Sequence, residues 1–212
     1  MYQLYYFTGA CSLAVHALLE EAGAPFELRM VNLRNGNQFA PEYLKLNPVG
    51  RVPVLVDGDL VLPEVSAILV YLSEKHPDTG LLPAAATIER ANCLRWLSFA
   101  ASVLHPAFGR VFVPRRYTLA EGQDAAVRAA AERDIDTHFR TLSQALGDKP
   151  YILGAQPSIA DFLLTAMLGW DNVLDQIKVA NYPHLAAYQA RLEGRPSFQR
   201  ARAREAELAR AA

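Results

Sequence analysis

The period of the hydrophobic pattern changes near residue 80, and this change constrains the fold more than any other feature. Before it, short β-prone runs alternate with helical stripes; after it only the helical period remains. Tyr2 to Phe7 is an aromatic, β-prone run. Cys11 to Glu21 places Leu13, Ala14, Ala17 and Leu18 on one helical face, and Gly23 followed by Pro25 stops that helix. Phe26 to Val31 reads as a second strand, and a short helix is expected near Pro41 to Leu46. Val52 to Val56 and Leu60 to Leu62 flank Asp57-Gly58-Asp59, a hairpin signal. Val65, Ile68, Leu69 and Leu72 then form an amphipathic helical stripe. The order β-α-β-(α)-β-β-α predicts parallel first and second strands joined by a right-handed crossover, and an antiparallel third and fourth.

The stretch from His76 to Pro83 is a linker by composition, rich in proline, glycine and short polar residues. Beyond it, Leu94, Leu97, Ala101, Leu104 and Phe108 mark a long helix continuing toward Val113. Ile135, Phe139, Leu142 and Leu146 mark the next, and Ile159 to Trp170 a third, apolar enough to be central. Leu185, Tyr188 and Leu192 mark a short helix, and a tail from Pro196 carries Arg200, Arg202, Arg204 and Arg210. The expected fold is therefore an α/β domain over residues 1–75, a linker over 76–86 and an all-helical bundle domain over 87–212.

Composition removes several function classes. Hydrophobic residues are 51% and charged residues 20% of the chain, which is incompatible with a disordered polymer. A formal net charge of -1 gives no electrostatic case for nucleic acid or an anionic membrane surface as partner. The longest apolar stretch, Ile159 to Trp170, is too short to span a bilayer and is broken by Asp161 and Thr165. The N-terminus has no basic segment of a signal peptide. Two cysteines, Cys11 and Cys93, make no disulfide framework and no CxxC pair, so a cytoplasmic protein is expected. There is no P-loop, GxGxxG, HExxH or GxSxG, and no metal site is expected.

A few positions carry chemistry. Cys11 stands between a Thr8-Gly9-Ala10 turn and the first turn of a helix, where free N–H groups favour a thiolate; it also reads as a small buried hydrophobe. Val52-Pro53 opens a strand, where proline is tolerated because it donates nothing to the ladder. Taken alone, an ordinary trans bond is expected; a cis bond would leave the Val52 backbone free to pair with an extended ligand. Glu64 begins the helix near residue 65. It reads as a cap-region carboxylate, or as the partner of a ligand ammonium with the N–H groups of Val65 and Ser66 holding a carboxylate. Ser98, Ser102, His105 and Gly109 share one face of the long helix, either lining a cleft or packing against another helix; Pro106 should kink it. His16 reads as a packing residue, and Ser158-Ile159-Ala160-Asp161 as a capping box.

Together these pieces resemble the glutathione transferase family, specifically its bacterial beta class, over essentially the whole chain. YYFTGACSLAVHALLEEAG resembles the opening strand, loop and cysteine-bearing helix of that class; LNPVGRVPVLVDGDLVLPEVSAILVYL resembles the segment from the proline-bearing strand to the third helix; LGAQPSIADFLL resembles the folding motif of the second domain. The resemblance implies a thioredoxin-like first domain, a helical second domain, a homodimer, glutathione as co-substrate and an electrophile pocket between the domains, with a role in detoxification. It implies that Cys11 is the active-site cysteine, that Val52 pairs with the cysteinyl part of glutathione beside a cis Pro53, and that Glu64 and Val65 hold the γ-glutamyl end. His105 matches the helix-four histidine facing the site; Leu33 and Arg51 match further glutathione contacts. Three positions depart from the family pattern: Val65 replaces the usual serine, with Ser66 one place along; Pro106 stands where a lysine often follows the histidine; and Gly9 stands where another class has its serine.

The implied reaction is attack of the glutathione thiolate on a small electrophilic, hydrophobic substrate. Two alternatives share these residues: a glutathione-dependent thiol–disulfide transferase or peroxidase using Cys11, and a non-catalytic binding module. The second substrate would meet the helical domain near Phe108, Phe112, Arg115, Arg116 and Tyr117; the two arginines read equally as surface charges.

Overall fold

The computed structural model describes residues 1–211. Four strands, β1 (Tyr2–Tyr6), β2 (Phe26–Met30), β3 (Val54–Asp57) and β4 (Leu60–Pro63), form one sheet in the order β2-β1-β3-β4. β1 and β2 are parallel, with Leu4 opposite Leu28; β3 runs antiparallel to both β1 and β4. Helices α1 (Ser12–Ala22) and α3 (Val65–Lys75) bury Leu13, Leu18, Ile68 and Leu69 in the main core with Leu4 and Leu55 of the sheet. The short α2 (Pro41–Leu44) covers the other side, where Tyr43 packs with Val31 and Val54. The parallel crossover and the hairpin follow the expectation from sequence.

β3 starts at Val54, two residues later than expected. The Val52–Pro53 peptide bond is cis, and neither residue pairs in the sheet. The ordinary trans bond expected from the dipeptide alone is therefore corrected.

The second domain holds α4 (Ile88–Phe99), α5 (His105–Phe112), α6 (Asp124–Leu146), α7 (Ile159–Leu168), α8 (Pro183–Glu193) and α9 (Pro196–Ala211). α4 and α5 are joined by a five-residue π-helical turn, Ala100–Leu104. Its cause is Pro106, which has no N–H to give the carbonyl of Ser102, so the ladder widens just before it. The kink is thus a change of pitch. It leaves Ser98 and Ser102 exposed while His105 and Gly109 are half-buried, so the small-polar face divides into two parts. Leu94, assigned to the core stripe from its spacing, is instead exposed.

α7 is buried along its length. The capping box is present: Asp161 accepts from the Ser158 N–H at 2.7 Å and hydroxyl at 2.6 Å, and also from the Ile152 N–H at 2.8 Å and the Tyr188 hydroxyl at 2.9 Å. The basic tail is a full helix. α9 buries Phe198, Ala201 and Glu205, and arginines on it and just before it bind α1: Arg200 donates to Glu20 at 2.7 Å and Arg195 to Glu21.

Candidate active site

The loop after β1 folds back through Ala10 N–H to Phe7 C=O and Ser12 hydroxyl to Phe7 C=O, at 3.0 and 3.2 Å. Gly9 sits at its apex with φ +74, a region costly for residues bearing a Cβ. Its backbone is held from both sides by the helical domain. The Trp170 indole N–H donates to its carbonyl at 2.7 Å, and its own N–H donates to Glu205 at 3.0 Å. The other Glu205 oxygen meets Nδ1 of buried His16 at 3.1 Å. The packing reading of His16 therefore includes a buried carboxylate partner. Glu205 was missed from sequence, although Phe198, Ala201 and Glu205 recur at helical spacing within the basic stretch.

Cys11 is the N-cap of α1, and its Sγ lies 3.8 Å from the Val52 carbonyl oxygen. Burial pushes its thiol up to about 12; the helix-start N–H groups and Arg51 pull the other way, and Glu64 adds to the rise. Desolvation of a nearly inaccessible sulfur outweighs the helix terminus. Of the two sequence readings of Cys11, the buried one fits: desolvation favours its thiol over the thiolate that the helix start alone would favour.

The segment approaching Val52 is fixed at Arg51, whose carbonyl accepts from the Tyr43 hydroxyl at 2.6 Å and the Asn47 amide at 2.9 Å. Gly50 is required there. A Cβ would lie 2.8 Å from the Phe39 ring, at a φ of +65. Val52 and Leu33 pack on the same small cluster as Tyr43, while Pro53 is buried and the Arg51 side chain is exposed. The charge of Arg51 reaches both Cys11 and His105.

Glu64 takes φ +71 and ψ 110, one of two non-glycine residues with positive φ among those described. Its side chain is exposed at the start of α3, whose first residue Val65 is buried. Behind it, the Ser66 hydroxyl oxygen is buried with no hydrogen-bond partner.

His105 faces Trp170 with ring centroids 5.1 Å apart. Burial, helped by the Arg51 charge, lowers its pKa to about 4. Phe108 and Phe112 each meet Trp170 edge-on at 5.3 Å, completing an aromatic wall. Arg115 and Arg116 lie exposed on the 3-10 turn Pro114–Arg116, with no carboxylate within 4 Å among the described residues. Thus Cys11 lies beside the Val52 carbonyl and within electrostatic reach of Glu64 and Arg51, and Arg51 reaches His105 of the second domain.

Residues 1–74 match the glutathione S-transferase N-terminal domain family and residues 125–191 its C-terminal domain. The chain is 34% identical over 199 residues to the glutathione S-transferase GstA of Escherichia coli O157:H7, covering 93% of this chain and 95% of that protein. The solved structure of the bacterial beta class glutathione S-transferase of Sphingomonas chungbukensis is 35% identical, with a TM-score of 0.85 and coverage of 96% of this chain and 98% of that one. A sphingomonad glutathione S-transferase complexed with glutathione is also 35% identical, with a TM-score of 0.84 and the same coverage. The chain belongs to the glutathione S-transferase family.

Proposed function

We propose that this chain binds glutathione along the Val52 edge and transfers its thiolate to small hydrophobic electrophiles. The observation that carries the reading is the Val52 backbone, which pairs in no strand and lies next to a cis proline, with its carbonyl 3.8 Å from Cys11 Sγ. An extended cysteinyl segment pairing with Val52 brings its own sulfur toward the start of α1. Glu64 faces the γ-glutamyl ammonium, and the first N–H groups of α3 with the unsatisfied Ser66 hydroxyl take its carboxylate. Arg51 and Leu33 flank the glycyl end. Free N–H groups at the start of α1 stabilise the glutathione thiolate, and neutral Cys11 donates its S–H to it. A buried thiol pushed up to about 12 is a poor nucleophile, which favours conjugation over disulfide exchange at Cys11. A reducing cytoplasm, where glutathione stays a thiol, suits this chemistry.

The same reading takes the protein as a homodimer. Support comes from an apolar groove of about 480 Å³ between α3 and α4, lined by Leu62, Val70, Leu94 and Leu97. Ser98 of the small-polar face of the long helix also lines this groove, whereas Gly109 on the same face is covered by the side chain of Tyr117. Calorimetry should give one glutathione bound per chain, and light scattering twice the chain mass. Absence of glutathione binding overturns the reading.

A further inference from the structure

The turn that carries Trp170 is braced by a cation with no anion for a partner. α7 runs on into a 3-10 turn, Gly169–Val173, and the carbonyls at the end of such a run carry partial negative charge. One side chain meets two of them. The Lys178 ammonium donates to the Asp171 carbonyl at 2.8 Å and also to the Leu174 carbonyl. No carboxylate lies within 4 Å of that ammonium among the described residues. A second tie runs the other way: the Asp171 carboxylate accepts from the Val179 N–H at 2.8 Å. Leu174 and Val179 are buried in the main core, so the segment is closed on itself and seated on the interior.

Lysine suits the end charge of a helix anywhere in the last turn or just beyond it. Here the stem is half-buried and folds back to a carbonyl four residues earlier, which gives up the freedom of a long side chain to fix one short turn. The residue so fixed, Asp171, is the neighbour of Trp170. The Trp170 indole N–H donates to the Gly9 carbonyl at 2.7 Å, and Cys11, the N-cap of α1, stands two residues further on. From the Lys178 ammonium to the start of α1 the physical connection is therefore unbroken.

We propose that Lys178 is a positioning residue for glutathione transfer: it clamps the turn bearing Trp170, and through that indole holds the loop that presents the first N–H groups of α1 to the glutathione sulfur. The inference deepens the transferase reading above and rests on it. If the clamp is lost, the indole and the loop drift together, and the N–H groups stabilise the thiolate less well.

The test uses the full-length protein with glutathione saturating and follows the pH profile of kcat/KM for 1-chloro-2,4-dinitrobenzene. Lys178→Met should move the midpoint of that profile up by roughly 0.5 pH, the scale on which a helix terminus acts on one charge. The chain has two tryptophans, so the indole N–H resonance of Trp170 is read against that of Trp96; it should move and exchange faster with solvent. In a Trp170→Phe background, Lys178→Met should move the midpoint no further. A direct effect of the lysine charge on the thiolate would persist there, and an equal shift in both backgrounds overturns the proposal. An unchanged profile in folded Lys178→Met overturns it too, whatever the loss of thermal stability. Asp171→Ala removes the second tie to the same turn and should give the same upward shift, so the proposal stays testable if Lys178→Met does not fold. Failure of the unaltered protein to bind glutathione in calorimetry instead overturns the transferase reading.

Discussion

Trp170 and Gly9 are joined by a single 2.7 Å hydrogen bond across the domain boundary, indole N–H to backbone carbonyl. The same indole packs against the tilted His105 ring and meets Phe112 edge-on. One side chain thereby sets both the loop that leads to Cys11 and the wall that faces it.

Trp170→Phe keeps an aromatic ring but removes the donor. The Gly9 carbonyl then loses its protein partner and, because Gly9 is exposed, turns to water, at about 0.5–1.5 kcal/mol. Denaturant melts should show that loss, and turnover should fall with it. An unchanged midpoint would mean that the contact does not hold the loop.

Cys11→Ala should separate two activities. Glutathione-dependent disulfide reduction should vanish if it runs through this sulfur. Conjugation should fall only a few-fold, because glutathione brings its own sulfur and the N–H groups at the start of α1 remain. Cys93 is buried and its thiol is raised by burial, so Cys93→Ala should leave both assays unchanged. Equal loss of both activities in a folded Cys11→Ala protein would give Cys11 an essential part in conjugation.

Glu64 combines an exposed carboxylate with a left-handed backbone at φ +71. Glu64→Ala should weaken glutathione binding by about 1.5–3 kcal/mol, the worth of a charged hydrogen bond. Glu64→Gly should lose the same affinity yet raise the melting temperature, since strain of this kind costs about 1–3 kcal/mol. Calorimetry and thermal melts read the two effects separately, and full affinity in both variants would remove Glu64 from the ligand site.

His105 predicts a pH effect on stability. Folded, it stays neutral until about pH 4; unfolded, it takes up a proton near its ordinary 6.5. The unfolded state therefore binds more protons in between, so stability falls as pH drops from 6.5 toward 4. His105→Asn should flatten that part of the curve, leaving the residual slope from His138, whose pKa is lowered by burial as well. Identical slopes in the two proteins would place the His105 ring in solvent.

The sheet order, the crossover and the buried α7 were legible because each rests on a local signal: β-prone runs, a glycine stop, a capping box. The cis bond at Val52–Pro53 was legible only through family likeness, since a dipeptide does not encode the packing that selects its isomer. The state of Cys11 was not legible. A helix start is visible in sequence, but the burial that outweighs it comes from the segment at Val52 and from other elements distant in the chain. The same holds for Glu205, which meets Gly9 across 196 positions, and for Tyr117, whose seat on Gly109 no periodicity announces.

That long-range contact has a consequence during synthesis. The turn before Cys11 leaves the ribosome well ahead of α9, yet its Gly9 N–H is satisfied by a carboxylate on that helix. A nascent chain with the whole first domain already emerged still has an unanchored loop, and α1 still lacks the arginines that bind Glu20 and Glu21. The loop before Cys11 therefore gains its last backbone partner only once α9 has been translated.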